Sequence, residues 1–127
     1  MSMKPGEKGL ARLVSATRYS WQGIQSAWRH EAAFRQEAML AVIGVPVALW
    51  LAMSVTQFLL LTAPLLFLLV IELANSAIES VVDRIGHENH ELSGRAKDMG
   101  SAMVFISLLI VGLCWCTVLW EILVVGG

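Results

Sequence analysis

The chain has 127 residues, of which 57% are hydrophobic and only 15% are charged, whereas an ordinary soluble domain carries about 25% charged residues. Its nine Lys and Arg nearly balance its ten Asp and Glu, which argues against a nucleic-acid binder with a basic face. A chain of this length is expected to form one domain, residues 1–127. Lys and Arg are absent from residues 36–83 and 98–127, so a membrane must be considered there.

The first predicted element is an amphipathic helix over about residues 8–30. Its apolar side chains, from Leu10 to Trp28, lie on one face at 100° per residue. Such a helix either packs against other helices or lies on the membrane surface with its Trp rings in the interface. Because the neighbouring segments are apolar enough to be spans, we favour the surface position. We expect no cleaved signal peptide, since residues 1–37 lack the required apolar run.

Three apolar segments then predict an all-α membrane protein. Each is long enough to cross a hydrocarbon core of about 30 Å at about 1.5 Å per residue. The segments are residues 38–55, 58–82 and 99–120, each bound being approximate.

Polar residues mark the connections between these segments. Thr56 and Gln57 supply the shortest turn between the first and second spans, and the stretch from Gly86 to Gly94 predicts a loop before the third. The tryptophans Trp50, Trp115 and Trp120 suit span ends, where their rings anchor at the interface. Every Lys and Arg lies before the first span or within residues 84–97, so the amino terminus and the second loop are predicted to be cytoplasmic and the carboxyl terminus external.

An acidic face on the second span is the main candidate for chemistry. Glu72, Asn75, Glu79 and Asp83 fall within an arc of about 80° on one helix. Counted from Phe58, Glu72 lies about 21 Å into the hydrocarbon region. An ionisable residue at that depth marks a functional site by default. The alternative is a polar contact retained for packing between helices.

The third span begins with a matching face made of Gly94, Lys97, Asp98 and Ser101. Gly94 and Gly100 would also allow close approach of another helix backbone.

Two further acids, Glu31 and Glu37, precede the first span. Glu31 either joins the site or forms a surface pair with Arg35, four residues on. We interpret Glu37 as part of a solvated face.

Together these residues form an inventory suited to phosphoryl transfer. Glu31, Glu79 and Asp98 supply carboxylates, and Lys97 supplies a cation. These suit Mg²⁺-dependent phosphoryl transfer because Mg²⁺ needs only a few protein carboxylates in addition to the substrate phosphates. No glycine-rich phosphate loop is present in the sequence, so a nucleotide site would be built without one. A proton-coupled carrier would also place acids in the membrane, and composition alone does not separate the two.

Four motifs carry a family resemblance: YSWQG at 19–23, EAAFRQE at 31–37, ELANSAIESVVDRIG at 72–86 and HELSGRAKDMGS at 90–101. With them the chain resembles the small prokaryotic integral-membrane diacylglycerol kinases from about Arg12 to Trp120. The resemblance implies a homotrimer in the bacterial inner membrane, with a surface helix and three spans per subunit and active sites shared between neighbouring subunits. It also implies Mg²⁺-dependent transfer of the ATP γ-phosphate to diacylglycerol, giving phosphatidic acid.

The resemblance also assigns roles. Glu72 is implied as the catalytic base, with Glu31 and Glu79 as metal ligands. The residues implied around the nucleotide are Arg12, Tyr19, Glu31, Glu79, Glu88, Asn89, His90, Lys97 and Asp98. Those implied near the lipid are Arg12, Ser20, Trp21, Gln36, Glu72 and Ser101, while the site would be supported by Asn75, Asp83 and Gly94.

Two alternatives stay open. A polyprenol kinase shares the architecture and the magnesium chemistry but phosphorylates undecaprenol, although HELSGRAKDMGS matches the diacylglycerol branch more closely. A small membrane transporter or scaffold would use the acids for coupling or packing and would consume no ATP.

Overall fold

Four α-helices make up the fold in the computed structural model, which describes residues 5–126. Three of them, α2 to α4, are long and apolar enough to cross a membrane, which confirms the prediction of an all-helical chain with three candidate spans. The helices are α1 (Gly9–His30), α2 (Ala32–Leu51), α3 (Val55–Ile85) and α4 (Glu91–Trp120), and α4 continues into a π-helical turn (Glu121–Val125).

A single residue, Glu31, separates α1 from α2. Its backbone is extended, with φ −118° and ψ 106°. Arg35 stabilises this corner because its guanidinium Nη1 donates to the carbonyl of Trp28 at 2.7 Å, one of the carbonyls that a helix end leaves unpaired. Arg35 therefore bonds to the end of α1, and the alternative of a Glu31–Arg35 surface pair is wrong.

The turn between α2 and α3 comprises Ala52–Ser54, earlier than predicted. Ser54 caps α3, because its hydroxyl accepts a hydrogen bond from the backbone N–H of Gln57 at 3.1 Å. The helix consequently begins at Val55, and Thr56 and Gln57 belong to its first turn. The predicted turn at Thr56 and Gln57 is wrong because a one-residue cap outweighs the polarity of the two residues that follow it.

The loop between α3 and α4 is also shorter than the predicted Gly86–Gly94. Ring atom Nδ1 of His90 accepts a hydrogen bond from the backbone N–H of Leu92 at 3.0 Å and caps α4. Helix α4 therefore starts at Glu91 and includes Gly94. Only residues 86–90 form the loop.

The two ends of the bundle differ in what they bury. At the turn end, which contains the Ala52–Ser54 turn and the π-helical turn, Ala48, Leu61 and Val118 form a fully buried cluster. The indole N–H of Trp115 donates to the carbonyl of Leu61 at 3.0 Å. Trp115 is half-buried and packs against this cluster, and its anchoring at the membrane interface stays a prediction.

Helix α1 lies mostly apart from this bundle. Its apolar stripe is exposed, with Leu10 80% and Trp21 61% accessible. The first part of the stripe therefore does not pack against α2 or α3, whereas Ile24 and Trp28 near its end line a cleft with residues of both helices. The membrane-surface position stays a prediction. The opposite end of the bundle, the loop end, contains the Glu31 corner and the Gly86–His90 loop, and the candidate site lies there.

Candidate functional site

Glu72 is the most deeply buried acid of the site. It lies on α3, the helix that packs along both α2 and α4, and is only 3% exposed. Its carboxylate oxygen Oε2 is buried and has no hydrogen-bond partner among residues 5–126. Glu31 and Glu79 lie close enough for their charges to act on it. An enclosed acid beside two other acids is costly as packing, so the arrangement favours the functional interpretation of Glu72.

Glu37, which the sequence assigned to a solvated face, lies against Glu72 instead. The carboxyl groups of Glu37 on α2 and Glu72 on α3 lie close enough to interact with each other. Oxygen Oε2 of Glu37 is buried without a partner. The prediction of a solvated Glu37 is therefore wrong, since this side chain is directed into the interface between α2 and α3.

Asn75 connects the acidic face of α3 with α4. Its side-chain amide donates to Oε1 of Glu79 at 3.4 Å, while its Oδ1 points at Gly100 of α4, where a Cβ atom would collide with it. Gly100 is buried. The predicted close helix approach is therefore confirmed at Gly100. At Gly94 a Cβ atom would meet nothing within 4 Å, and the same prediction is wrong there.

Glu31 reaches α3 from the corner between α1 and α2. It lines a cleft of about 290 Å³ together with Ser76 and Ser80 of α3 and with His30. The backbone corner thus brings Glu31 to the same part of α3 as Glu72 and Glu79, although Glu31 lies about 40 residues before Glu72 in the sequence.

A second, larger cleft of about 460 Å³ lies at the Gly86–His90 loop. An ion pair between Lys97 Nζ and Asp83 Oδ1, 2.8 Å apart, holds α4 to α3 beside it. This cleft gathers six of the predicted site residues: Asp83, Glu88, Asn89, His90, Gly94 and Lys97. Asp98 is exposed and lines neither cleft.

Within a single chain, the remaining predicted residues lie away from these two clefts. Ser20 is exposed, and its hydroxyl donates to the carbonyl of Ala16 at 2.8 Å. Within the described part of the chain, none of the following lines either cleft: Arg12, Tyr19, Ser20, Trp21, Gln36 and Ser101. A single subunit therefore assembles the acids and the loop cleft but leaves apart the α1 residues, Gln36 of α2 and Ser101 of α4.

The acids Glu31, Glu72 and Glu79 lie near one another, whereas the cation of Lys97 lies at the loop cleft. Nowhere in residues 5–126 do three His, Cys, Asp or Glu side chains group closely enough to hold a metal ion by themselves. A metal at Glu31 and Glu79 would therefore need further ligands, and phosphate oxygens are the partners that Mg²⁺ takes in kinase sites. Glu72 lies deeper than either of them.

Comparison with known proteins shows which chains are similar to this one. The family model described as prokaryotic diacylglycerol kinase matches residues 18–119. A diacylglycerol kinase of Escherichia coli (strain K12) is 48% identical over 113 residues, which is 89% of this chain and 93% of the relative. One from Haemophilus influenzae is 51% identical over 107 residues, 84% of this chain and 91% of the relative. One from Pseudomonas aeruginosa is 47% identical over 121 residues, 94% of this chain and 98% of the relative.

The matched region contains α2, α3 and nearly all of α4, together with every acid of the candidate site. Both the family model and the relatives cover most of the chain. The chain therefore belongs to the prokaryotic diacylglycerol kinase family.

Proposed function

We propose that this protein is a diacylglycerol kinase that transfers the γ-phosphate of ATP to the free hydroxyl of diacylglycerol and so forms phosphatidic acid. The observation that carries this proposal is the buried Glu72, whose carboxylate oxygen Oε2 has no partner and which lies near the acids Glu31 and Glu79. Membership of a kinase family argues against a transporter or a scaffold.

Glu72 acts in this proposal as the general base. Phosphoryl transfer to an alcohol needs a carboxylate that accepts the hydroxyl proton while the oxygen attacks phosphorus. Its depth in α3 suits a substrate whose hydroxyl sits at the edge of the hydrocarbon region. The leaving ADP takes the electron pair of the broken P–O bond, and the product is the phosphomonoester of the lipid.

The nucleotide would occupy the cleft at the Gly86–His90 loop. This cleft presents donors from Asn89 and His90 and the cation of Lys97, groups that bind phosphate and base without a glycine-rich cradle. Asp98 follows Lys97 in the sequence, and we propose that it contacts the nucleotide once the nucleotide or a second subunit completes the site. Arg12 and Tyr19 are proposed to contact the nucleotide from α1.

Magnesium fits the residues present. Glu31 and Glu79 are two carboxylates without a third acid close enough to complete a cage, and Mg²⁺ is usually held by one or two carboxylates plus substrate phosphates. When bound with ATP, Mg²⁺ neutralises charge on the phosphates. The protein's own contribution is to hold Glu79 through Asn75 and Glu31 through the backbone corner.

We further propose that the active enzyme is a homotrimer in the bacterial inner membrane, with the amino terminus and the loop end cytoplasmic and the carboxyl terminus periplasmic. Lys and Arg lie only in the amino-terminal segment and near the 86–90 loop, which supports this orientation. The trimer is supported by the α1 residues that one chain leaves apart from the acids. In a trimer a neighbouring subunit would bring Ser20, Trp21, Gln36 and Ser101 to the lipid.

The test is an assay of the purified protein in mixed micelles with Mg²⁺ and ATP, offered diacylglycerol and then undecaprenol. We expect phosphatidic acid from the first lipid and little product from the second, with Glu72→Gln as the inactive control. Faster phosphorylation of undecaprenol would assign the protein to the polyprenol branch, and an absence of ATP-dependent product from both lipids would contradict the kinase proposal. Cross-linking in bilayers is expected to give a trimer, and an active monomer would contradict the shared site.

A further inference from the structure

Glu37 is half-buried on the face of α2 that is otherwise apolar, and its carboxylate oxygen Oε2 is fully buried. The residues buried on α2 are Phe34, Ala41, Gly44 and Ala48. They are spaced by the three- and four-residue steps that keep side chains on one helix face, and Glu37 lies three residues after Phe34 and four before Ala41. The stripe therefore contains one acid among residues that are aromatic or small, which is a costly choice for a helix seam within a membrane.

The seam between α2 and α3 has a register that independently pairs Glu37 with Glu72. A Cβ atom on Gly44 would lie 2.6 Å from Leu65 Cδ1, so these two positions face each other. Helices joined by a three-residue turn run antiparallel. Glu37 precedes Gly44 by seven residues and Glu72 follows Leu65 by seven, which is two helical turns in the same direction. In the other direction, Ala48 and Leu61 share the buried cluster.

This register puts the two carboxyl groups opposite each other, where they are close enough to interact. A glutamate side chain has three rotatable bonds, and α3 alone offers Glu72 no hydrogen bond to its Oε2. Some group on a neighbouring helix must therefore restrict the Glu72 carboxylate if it is to meet a hydroxyl in one orientation. Glu37 is the polar side chain that the seam presents for this purpose.

We propose that Glu37 is a positioning residue that hydrogen-bonds the carboxyl group of Glu72 and orients it toward the lipid hydroxyl. The inference rests on the proposed role of Glu72 as general base. In this hydrogen bond the protonated carboxyl group of Glu37 donates to the carboxylate of Glu72. Glu37 itself does not touch the reacting atoms. A consequence is that an amide at position 37 serves nearly as well, because its N–H₂ group also donates to a carboxylate.

Two substitutions separate positioning from packing. Glu37→Leu keeps the approximate volume but removes all hydrogen bonding, and we expect kcat to fall by about 10-fold or more, since small displacements of a catalytic group cost that much. The KM values for diacylglycerol and Mg-ATP should stay within about 3-fold, because ground-state binding is untouched. Thermal stability should be equal or higher. Glu37→Gln should keep about a third or more of the parent kcat.

The matched control is Glu121→Gln, which makes the same chemical change in a half-buried acid at the turn end and should leave kcat unchanged. A double variant adds a second criterion: with Glu72→Gln present, Glu37→Leu should cost no further activity, because no base remains to be oriented. If the Leu variant does not assemble, Glu37→Met replaces it with the same expected result.

Three outcomes would overturn the proposal: full activity of Glu37→Leu, equal inactivity of Glu37→Gln and Glu37→Leu, or equal losses from Glu37→Leu with and without Glu72→Gln. Equal inactivity would mean that the carboxyl itself takes part in the chemistry. A fully active Glu72→Gln enzyme is a different failure, because it removes the base from the proposed function whatever Glu37 does.

Discussion

Buried polar atoms have hydrogen-bond partners at the turn end of the bundle, whereas several at the loop end have none. At the turn end, the Gln57 amide donates to Glu121 Oε2 at 2.9 Å, and its oxygen accepts from the backbone N–H of Met53 at 2.9 Å. Trp115 likewise finds a carbonyl. At the loop end, buried oxygens of Glu37, Glu72, Asn75 and Ser76 have no partner.

Unpaired buried polar groups are rare in native proteins because each costs free energy, about 1–3 kcal/mol for a neutral group. Four of the five such side chains in residues 5–126 lie on the α2–α3 seam and the acidic face of α3. The difference indicates a division of labour: the turn end holds the helices together, and the loop end keeps polar groups unsatisfied for the proposed site. Substitutions at the two ends should therefore fail in different assays.

The largest expected effect is that of Glu72→Gln. The change keeps the size of the side chain but deletes the base, so kcat should fall by about 100-fold or more. Because a buried charge is also removed, the melting temperature in mixed micelles should be equal or raised. Both quantities are measured on the same preparation. Near-normal turnover in a well-folded trimer would show that the carboxylate is structural and would end the division of labour proposed for the two ends.

Glu79→Gln should act mainly on the nucleotide. If Glu79 binds Mg²⁺ with the ATP phosphates, the apparent KM for Mg-ATP should rise and kcat should fall, together lowering kcat/KM by about 30-fold. Titration of Mg²⁺ at fixed ATP measures the effect, and Glu31→Gln is expected to behave in the same way. Unchanged kcat and KM in Glu79→Gln would remove this residue from the metal site.

Gly100→Ala tests the contact between the acidic face and α4. The added methyl group collides with Asn75 Oδ1, so the Asn75 side chain must leave Glu79 or the helices must separate. We expect kcat to fall by about 10-fold, the scale of a small misplacement of site groups. The control is Gly112→Ala, also on α4, where a Cβ atom meets nothing within 4 Å. Equal activity of the two variants would show that the close approach at Gly100 does not matter for catalysis.

The smallest effect on turnover is expected at the turn end. Gln57→Leu leaves Glu121 and the Met53 N–H without their partner, and it should lower the free energy of unfolding by about 1–3 kcal/mol. Trp115→Phe removes one hydrogen bond and should cost about 0.6 kcal/mol, the mean for such bonds in a membrane protein. At temperatures below both melting transitions, kcat should match the parent. A selective loss of kcat in either variant would contradict the separation of the two ends.

The sequence predicted the features that are marked by a local change between polar and apolar residues. Polar residues within an apolar background revealed the acidic face of α3, and long uncharged segments revealed three spans. Glu37 was missed because its own helix offers no such contrast: nearly all of α2 is apolar, so the buried stripe of Phe34, Ala41 and Gly44 is not distinguishable by polarity. The recurrence of small residues at that spacing was the available signal.

Other details depended on single tertiary contacts. One hydroxyl on Ser54 decides where α3 begins, and one carbonyl on Leu61 holds the indole N–H of Trp115. Neither is visible as a pattern. The separation of the α1 residues from the acids has another cause, because the proposed trimer would divide one site between chains and no single-chain pattern encodes that division.

Glu31 has two roles, one in the backbone and one in the proposed metal site. The residue that ends α1 and precedes α2 is also the carboxylate proposed to hold the metal, and Arg35 bonds its side chain to the end of α1 across the corner. A rotation of α1 about this corner therefore moves the Glu31 carboxylate relative to Glu79 on α3. A fluorescent or spin label on a cysteine introduced at the exposed position 18 (Arg18→Cys), with Cys114 and Cys116 replaced by Ser, would consequently report movement of Glu31 relative to Glu79 from a distance, in time-resolved measurements that leave every site residue unmodified.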